Sequence, residues 1–270
     1  LRVHDSYDAL LADPGIDAVY IPLPNHLHVD WTIKALEAGK HVLCEKPMAL
    51  QADQIDRVIA ARDAAGLLAA EAFMIVHHPQ MARARQIVAD GTLGRIRHVN
   101  VTFSFFNDDT DNIRNQADAG GGGLPDIGIY AFGSVRFITG QEPQKITHAK
   151  IDYENGVDVF AQVGASFDGF DYAATVSMRM HPRQEIVIHG EKGVLRLSCP
   201  FNPNVHAQAE LHLETGQNTV SVERFPAANH YVLQVEAFCR SVNDGSAYPC
   251  PLEFSRGTQE MIDMVYAAGA

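Results

Sequence analysis

The sequence predicts an α/β unit followed by an α+β unit: part of a doubly wound parallel sheet, then a larger, mostly antiparallel open sheet with helices on one face. Up to about residue 73, short apolar runs alternate with helical segments, which is the pattern of parallel βαβ units. Beyond that point, strand-like stretches follow one another, separated by turn signals such as Asn155-Gly156. We therefore expect two domains, 1–73 and 74–270.

Each predicted element rests on hydrophobic spacing and on the residues at its ends. In the first unit, Asn25 is suited to cap a helix, Gly39 to stop it, and Gly66 to close the next helix. The predicted strands of this unit span 17–22, 41–44 and 67–71, and its helices span 25–39 and 51–65. In the second unit the predicted strands span 95–106, 145–154, 157–167, 172–180, 184–190, 193–197, 208–213 and 218–224, and the helices span 79–90, 125–139, 229–243 and 255–268.

Composition limits the classes of function. The chain has 270 residues, 46% of them hydrophobic, and a formal net charge of −12. Nucleic acids and anionic membranes attract basic surfaces, so neither is an expected partner. No apolar stretch approaches the roughly 18 residues of a membrane helix. The four cysteines form no C-x-x-C pair and the histidines lack partners at metal-ligand spacing, so we expect reduced thiols, no metal and a cytoplasmic location.

The segment His41–Pro47 is the most informative stretch of the chain. It has the pattern of a buried strand that ends on Glu45, Lys46 and Pro47. The carboxyl ends of parallel strands are where open α/β sheets bind their ligands. An isolated tripeptide of this kind is more often an exposed ion pair, so its interpretation depends on the rest of the sequence.

A second informative stretch is the glycine run Gly120–Gly123 with the helix start that follows it. Pro125 suits the first turn of a helix, and Asp126 and Tyr130, four residues apart, share one helical face. Gly128 weakens this helix, which is acceptable where another group approaches the backbone closely. Alternatively, Asp126 is a helix-start acid that favours the helix dipole, and Tyr130 is a packing residue.

Together the two stretches resemble the glucose-fructose oxidoreductase, inositol dehydrogenase and rhizopine-catabolism (Gfo/Idh/MocA) superfamily. The tripeptide 45–47 and the run Gly-Gly-Gly-Leu-x-Asp-Ile-Gly-Ile-Tyr, which ends at Tyr130, match motifs of this family. Tyr130 stands where many members have histidine, which indicates the branch of glucose-fructose oxidoreductase, D-xylose dehydrogenase and dihydrodiol dehydrogenase. Three further stretches resemble the family in the same order: Pro22–His28, Glu71–Met74 and Asn229–Phe238.

The chain also departs from the family pattern. Members open with a strand and a Gly-x-Gly-x-x-Gly loop that binds the cofactor pyrophosphate, and no such loop is present in this sequence. Relative to the family, we expect the chain to lack about its first βαβ unit, which leaves a truncated Rossmann-type sheet, and a short C-terminal tail. The predicted location therefore leaves open an export signal upstream of Leu1. Val76, where relatives often have arginine, and Pro125, where they have Met or Leu, bear on substrate preference.

The resemblance implies hydride transfer between NAD or NADP and a sugar, polyol or cyclic diol. It implies Tyr130 as general acid/base, Lys46 as its electrostatic partner, and Asp126 as the residue that orients the substrate hydroxyl or Lys46. A nearby ammonium favours a phenolate, so we expect Lys46 to lower the pKa of Tyr130; alternatively, Lys46 transfers the proton itself. Cofactor contacts are expected from Pro24, Asn25, His28, Glu45 and Lys46, and substrate contacts from Arg114, Asp126 and Tyr130.

Several of these expectations have alternatives. His28 is also compatible with packing at a helix start, and Arg114 with a solvated loop; His77 and His78 are expected to be structural. A non-catalytic ligand-binding or regulatory protein on the same scaffold is the alternative function, favoured only by the missing phosphate loop. A broad sheet with helices on one face leaves its other face to be buried, so we expect a homodimer or homotetramer through that face, with strand 157–167 contributing.

Overall fold

A computed structural model describes residues 2–216 and 219–269; residue 218, with which the last predicted strand begins, lies outside them. The strands are β1 (Ala18–Ile21), β2 (His41–Cys44), β3 (Ala69–Glu71), β4 (Ile96–Phe106), β5 (Lys145–Glu154), β6 (Val157–Phe167), β7 (Phe170–Ser177), β8 (Arg179–Gly190), β9 (Gly193–Leu197), β10 (Glu210–Thr215) and β11 (Thr219–Arg224). The helices are α1 (Tyr7–Leu11), α2 (His28–Glu37), α3 (Ala52–Ala65), α4 (Pro79–Ala89), α5 (Ile129–Thr139), α6 (His230–Asp244) and α7 (Leu252–Gly269).

The first sheet is parallel, in the order β1-β2-β3. Helices α2 and α3 pack against this sheet, and Val42 and Cys44 of its central strand are fully buried. One predicted cap is wrong: Asn25 begins a short 3-10 turn before α2, and its side chain donates to the carbonyl of Gly120 (2.9 Å) instead of capping the helix. Helix α1, capped by Ser6, was not predicted from the sequence.

The second sheet has eight strands in the order β11-β10-β9-β8-β4-β7-β6-β5. Neighbouring strands are antiparallel except β4 and β7, which are parallel, so the sheet is mixed. Strand β8 begins at Arg179, five residues before the predicted start at 184. The extra length pairs with β4 as far as Phe106 and brings the first half of β8 beside the cleft described below.

The predicted orientation of strand β6 is wrong. We expected its odd-numbered apolar residues to contribute to the uncovered face of the sheet. Ala161, Val163 and Ala165 are instead buried in the same core as the helices, because side chains of one parity must all point to one side of a strand. The uncovered face is formed by the even positions, of which Gln162 is exposed.

Helix α7 joins the two sheets into one body. It packs on α3 and on β5, and its Asp263 accepts a hydrogen bond from the backbone N–H of Ala52 at the start of α3 (2.8 Å). Gln259 donates to the carbonyl of Leu50 (3.0 Å) in the same turn. Both contacts fix the segment that follows Pro47. Among the described residues, no helix is long and apolar enough to cross a membrane.

Candidate active site

A cleft lies where the carboxyl ends of β1 and β2 face the start of α5. It has two parts, whose linings share Glu45, Lys46, Arg114 and Asp126. The main chamber, about 530 Å³, extends towards β4 and β8. The strand-end chamber, about 220 Å³, lies between the turn after β1 and the glycine run. Open α/β sheets place ligands at this edge, so the cleft is the candidate active site.

The segment that carries Lys46 is held on both sides by buried groups. The two ring nitrogens of His28 each lie 2.7 Å from a backbone carbonyl oxygen, one of Pro47 and one of Leu23. The backbone N–H of Met48 donates to Glu71 (2.6 Å). Burial lowers the pKa of His28 and raises the pKa of Glu71. His28 therefore joins the turn after β1 to the turn after β2, which is a structural role.

Lys46, Asp126 and Arg114 form an ion triad with Asp126 at its centre. The Lys46 ammonium donates to the Oδ1 and to the backbone carbonyl of Asp126, both at 2.7 Å. Arg114 Nε lies 2.6 Å from Asp126 Oδ2. Burial opposes ionisation of Asp126, but the Lys46 and Arg114 cations outweigh it and hold the pKa of this carboxyl below its usual range. Asp126 thus pairs with both cations, and the triad as a whole carries one positive charge.

The glycine run that precedes Asp126 is closely packed. Gly122 has a φ of +135°, and a Cβ there would lie 2.3 Å from Asp158 Oδ1. Asp158 accepts the backbone N–H of Leu124 (2.6 Å) and the hydroxyl of Tyr266 (2.7 Å). A π-helical turn, Leu124–Gly128, then leads into α5, and such turns are frequent at functional sites.

Tyr130 lies in the wall of the main chamber, within an aromatic core. Its ring stacks on Phe73, with 5.6 Å between centroids, and its hydroxyl lies 3.4 Å from the sulfur of Met74. The Lys46 ammonium lies 5.0 Å from the ring centroid. Tyr130 and Lys46 are therefore neighbours, as the sequence predicted.

The predicted lowering of the Tyr130 pKa is wrong in this structure. Burial, and next the negative charges of Glu45 and Asp126, raise the pKa of Tyr130 well above its usual value. The Lys46 charge does not offset this because Asp126 holds the ammonium through two hydrogen bonds. Tyr130 is consequently a protonated phenol at neutral pH.

Glu45 stands where the two chambers meet. Its carboxylate accepts a hydrogen bond from the hydroxyl of Tyr20, at the end of the neighbouring strand β1. Burial and this carboxylate raise the pKa of Tyr20. Tyr20, which pairs with Leu43 in the parallel sheet, was not predicted to contact Glu45; it lines neither chamber.

Other parts of the cleft wall were also missed. They come from elements far apart in the sequence, whose pairing no local pattern reveals. Tyr231 follows the Asn229 cap of α6. The missed residues that line the main chamber include Met74, Phe103, Phe105, Gln184, Asn202, His206 and Tyr231.

The predicted cofactor residues separate into two groups. Glu45 and Lys46 face both chambers, and Asn25 and His28 line the strand-end chamber. The amide nitrogen of Asn25 and both ring nitrogens of His28 already contact backbone carbonyls, so these side chains shape the wall. Pro24 lies in the same turn but is not part of the chamber lining.

The strand-end chamber lies at the strand ends, where open α/β sheets bind dinucleotides. Its lining shares Glu45, Lys46, Arg114 and Asp126 with that of the main chamber. Glu45 offers acceptors and Lys46 a donor at its mouth.

His77 and His78 lie outside the cleft lining. His77 contacts the hydroxyl of Tyr248 (3.1 Å), and the ring of His78 packs edge-on against His230. Burial lowers the pKa of each of the three histidines to about 4, so they are neutral at physiological pH. Within residues 2–216 and 219–269, no group of three His, Cys, Asp or Glu side chains could hold a metal ion.

Comparison with known proteins identifies two matching family models. One describes an oxidoreductase family with an NAD-binding Rossmann fold and matches residues 1–73. The other describes the GFO/IDH/MocA C-terminal domain and matches residues 81–196. The first match contains the 45–47 tripeptide, and the second contains the glycine-rich run that ends at Tyr130.

Individual relatives extend over nearly the whole chain. An uncharacterized oxidoreductase of Rhizobium meliloti, ORF334, is 38% identical over 98% of this chain and 81% of its own length. D-xylose 1-dehydrogenase (NADP(+)) 2 of Haloferax volcanii is 36% identical over 97% of this chain and 81% of its own length. KijD10, a 3-ketoreductase from Actinomadura kijaniata solved in complex with NADP and TDP-benzene, has a TM-score of 0.89 and 31% identity, covering 97% of this chain and 81% of that chain.

Proposed function

The chain belongs to the GFO/IDH/MocA oxidoreductase family, and we propose that it transfers a hydride between NAD or NADP and a carbon of a sugar, polyol or cyclic diol. The predicted family, fold class and cofactor type are thereby confirmed. The main support for this proposal is the ion pair of Lys46 and Asp126, which lies beside Tyr130 in the main chamber. A purely ligand-binding protein has no need of this arrangement.

The roles of the cofactor-facing residues follow from their positions. NAD(P), when bound, supplies or accepts the hydride. We propose that the wall formed by Asn25 and His28 receives the nicotinamide end, with Pro24 supporting the turn. Glu45 and Lys46 then hydrogen-bond the ribose hydroxyls at the mouth of the strand-end chamber.

The remaining residues manage one proton and the substrate oxygen. In carbonyl reduction, the Tyr130 phenol donates its proton to the substrate oxygen. The Lys46 ammonium stabilises the negative charge that develops on that oxygen, and Asp126 holds Lys46 in place. Arg114 binds a substrate hydroxyl through the guanidinium nitrogens that do not contact Asp126. A raised Tyr130 pKa keeps the proton available for this step.

A turnover assay tests the proposal. The purified protein is mixed with NADH or NADPH and a panel of aldoses, ketoses and cyclic diketones, and with NAD or NADP and the corresponding alcohols. We expect loss or gain of reduced-nicotinamide absorbance only when substrate and cofactor are both present. Absence of turnover in either direction, together with no binding of NADH or NADPH in a fluorescence titration, would refute the proposal.

We further propose that copies of the chain associate through the uncovered face of the large sheet. Uncharged side chains such as Thr102, Gln162 and Thr175 lie on this face, beside charged neighbours such as Glu185, which pairs with Arg196 (2.6 Å). Analytical ultracentrifugation should give a dimer or tetramer, and a monomer at micromolar concentration would contradict this.

The four unpaired cysteines support a reducing compartment, and we propose that the protein is located in the cytoplasm. Cell fractionation checks this location.

A further inference from the structure

We propose that the substrate is an uncharged sugar or polyol, and that the main chamber discriminates against phosphorylated and nucleotide-linked sugars. The inference rests on the proposed function, since it concerns the substrate of the same site. It follows from how the cleft uses its own charges and amide groups, because proteins bind phosphate mainly with arginine and lysine side chains or with free amides at helix N-termini.

The cations of the main chamber are already neutralised. Lys46 and Arg114 are the lysine and arginine side chains in its lining, and Asp126 pairs with both, at 2.7 and 2.6 Å. Glu45 adds a second carboxylate, whose partner, the hydroxyl of Tyr20, is uncharged. The formal charges of these two cations and two carboxylates therefore sum to zero, and no excess positive charge is available to bind a phosphate dianion.

The helix N-termini at the chamber are also occupied. The backbone N–H of Leu124, at the start of the turn that leads into α5, donates to Asp158 (2.6 Å). At the start of α6, the side chain of Asn229 accepts the N–H groups of Tyr231 (3.0 Å) and Val232 (3.3 Å). Internal acceptors thus use the amides that would otherwise attract an anion.

The remaining wall suits an uncharged polyhydroxylated ring. Its lining includes the aromatic side chains of Phe103, Phe105 and Tyr231, and aromatic faces pack against the C–H groups of a sugar. Gln184 Oε1 accepts the N–H groups of Phe201 (3.2 Å) and Asn202 (2.9 Å), which fixes the loop that carries Asn202 and leaves the Gln184 amide nitrogen to donate. Asn202 supplies both a donor and an acceptor for hydroxyl groups.

Equilibrium binding tests the inference without relying on turnover. Calorimetric titrations at constant ionic strength compare D-glucose and D-xylose with glucose 6-phosphate, TDP-glucose and inorganic phosphate. We expect the phosphorylated compounds to bind at least about 100-fold more weakly than the better uncharged sugar, because a negative charge beside Glu45 and Asp126 is unfavourable. Equal or tighter binding of a phosphorylated sugar would overturn the inference, as would saturable TDP or phosphate binding that Lys46→Met abolishes.

A second test of the inference looks for a variant that gains affinity for phosphate. Asp126→Asn leaves Lys46 and Arg114 without their shared carboxylate, so this variant is expected to acquire measurable affinity for inorganic phosphate. Asp30→Asn, which removes the partner of Arg57 on the exposed surface, is the matched control and should gain none. Failure of Asp126→Asn to gain phosphate binding would contradict the charge argument. Binding of uncharged sugar without any hydride transfer would refute the proposed function and leave this inference standing.

Discussion

Replacement of Tyr130 by phenylalanine is expected to lower kcat for carbonyl reduction by about 10²–10⁴-fold, the usual contribution of a positioned proton donor. The change removes the hydroxyl and keeps the ring that packs on Phe73 and Phe103. The hydroxyl contacts only the sulfur of Met74 among the described residues, so the fold should tolerate its loss. Steady-state kinetics with saturating cofactor and substrate provide the measurement.

Tyr172→Phe is the matched control for Tyr130→Phe. Tyr172 is equally buried, but its hydroxyl donates to the carbonyl of Ala131 (2.9 Å), away from the cleft. This control should lose about 1 kcal/mol of unfolding free energy and retain wild-type kcat. A Tyr130→Phe enzyme within about tenfold of wild type would refute the role of Tyr130 and favour proton transfer by Lys46.

The pH dependence follows from the direction of the Tyr130 pKa. Because burial and the neighbouring carboxylates raise this pKa, the phenol keeps its proton through neutral and mildly alkaline pH. The wild-type rate of reduction should therefore not decline between about pH 7 and about pH 9 through loss of this proton. A fall over that range that Tyr130→Phe removes would show that the phenol ionises there.

Lys46→Met is expected to abolish measurable turnover and to destabilise the fold. The charge that would stabilise the substrate oxygen is lost, and Asp126, about nine-tenths buried, keeps only Arg114 as a cationic partner. Removal of one member of a buried ion pair costs up to about 3–5 kcal/mol, and the retained Arg114 places the expected loss at the lower end. Urea unfolding measures the loss of stability, and turnover is measured on the same preparation.

The double variant Lys46→Met, Asp126→Leu separates the two effects. It removes the unpaired buried carboxylate, and Arg114, whose side chain is 41% exposed, becomes solvated. Stability should recover in large part because both partners are replaced by apolar groups, while activity should stay absent. Recovery of activity along with stability would mean that Lys46 serves only the fold.

The sequence contained enough information to predict the architecture and the centre of the site. Alternation of apolar strands and helices identified the parallel sheet, and its strand ends placed Glu45 and Lys46 at a ligand-binding edge. The four-residue spacing of Asp126 and Tyr130 placed both in one cleft wall. These features are local, and local patterns are what periodicity and motif spacing capture.

The features that sequence analysis missed depend on long-range contacts. Burial, together with the carboxylates of Glu45 and Asp126, raises the pKa of Tyr130, and the position of Asp126 depends on the turn held by Asp158. Gln184 and Asn202 meet the cleft through the pairing of β8 with β4. Asn25 is an acceptable cap in isolation, but Gly120, 95 residues away, competes for its side chain.

We propose that hydride transfer takes place in this cleft and that Tyr130 donates the proton. The most direct test is label transfer from C4-deuterated NADH or NADPH during carbonyl reduction, with wild type and Tyr130→Phe compared by mass spectrometry of the product. We expect one deuterium at the reduced carbon of the wild-type product and the same label, formed about 10²–10⁴-fold more slowly, with Tyr130→Phe. A wild-type product without deuterium, or equal rates for the two proteins, would contradict it.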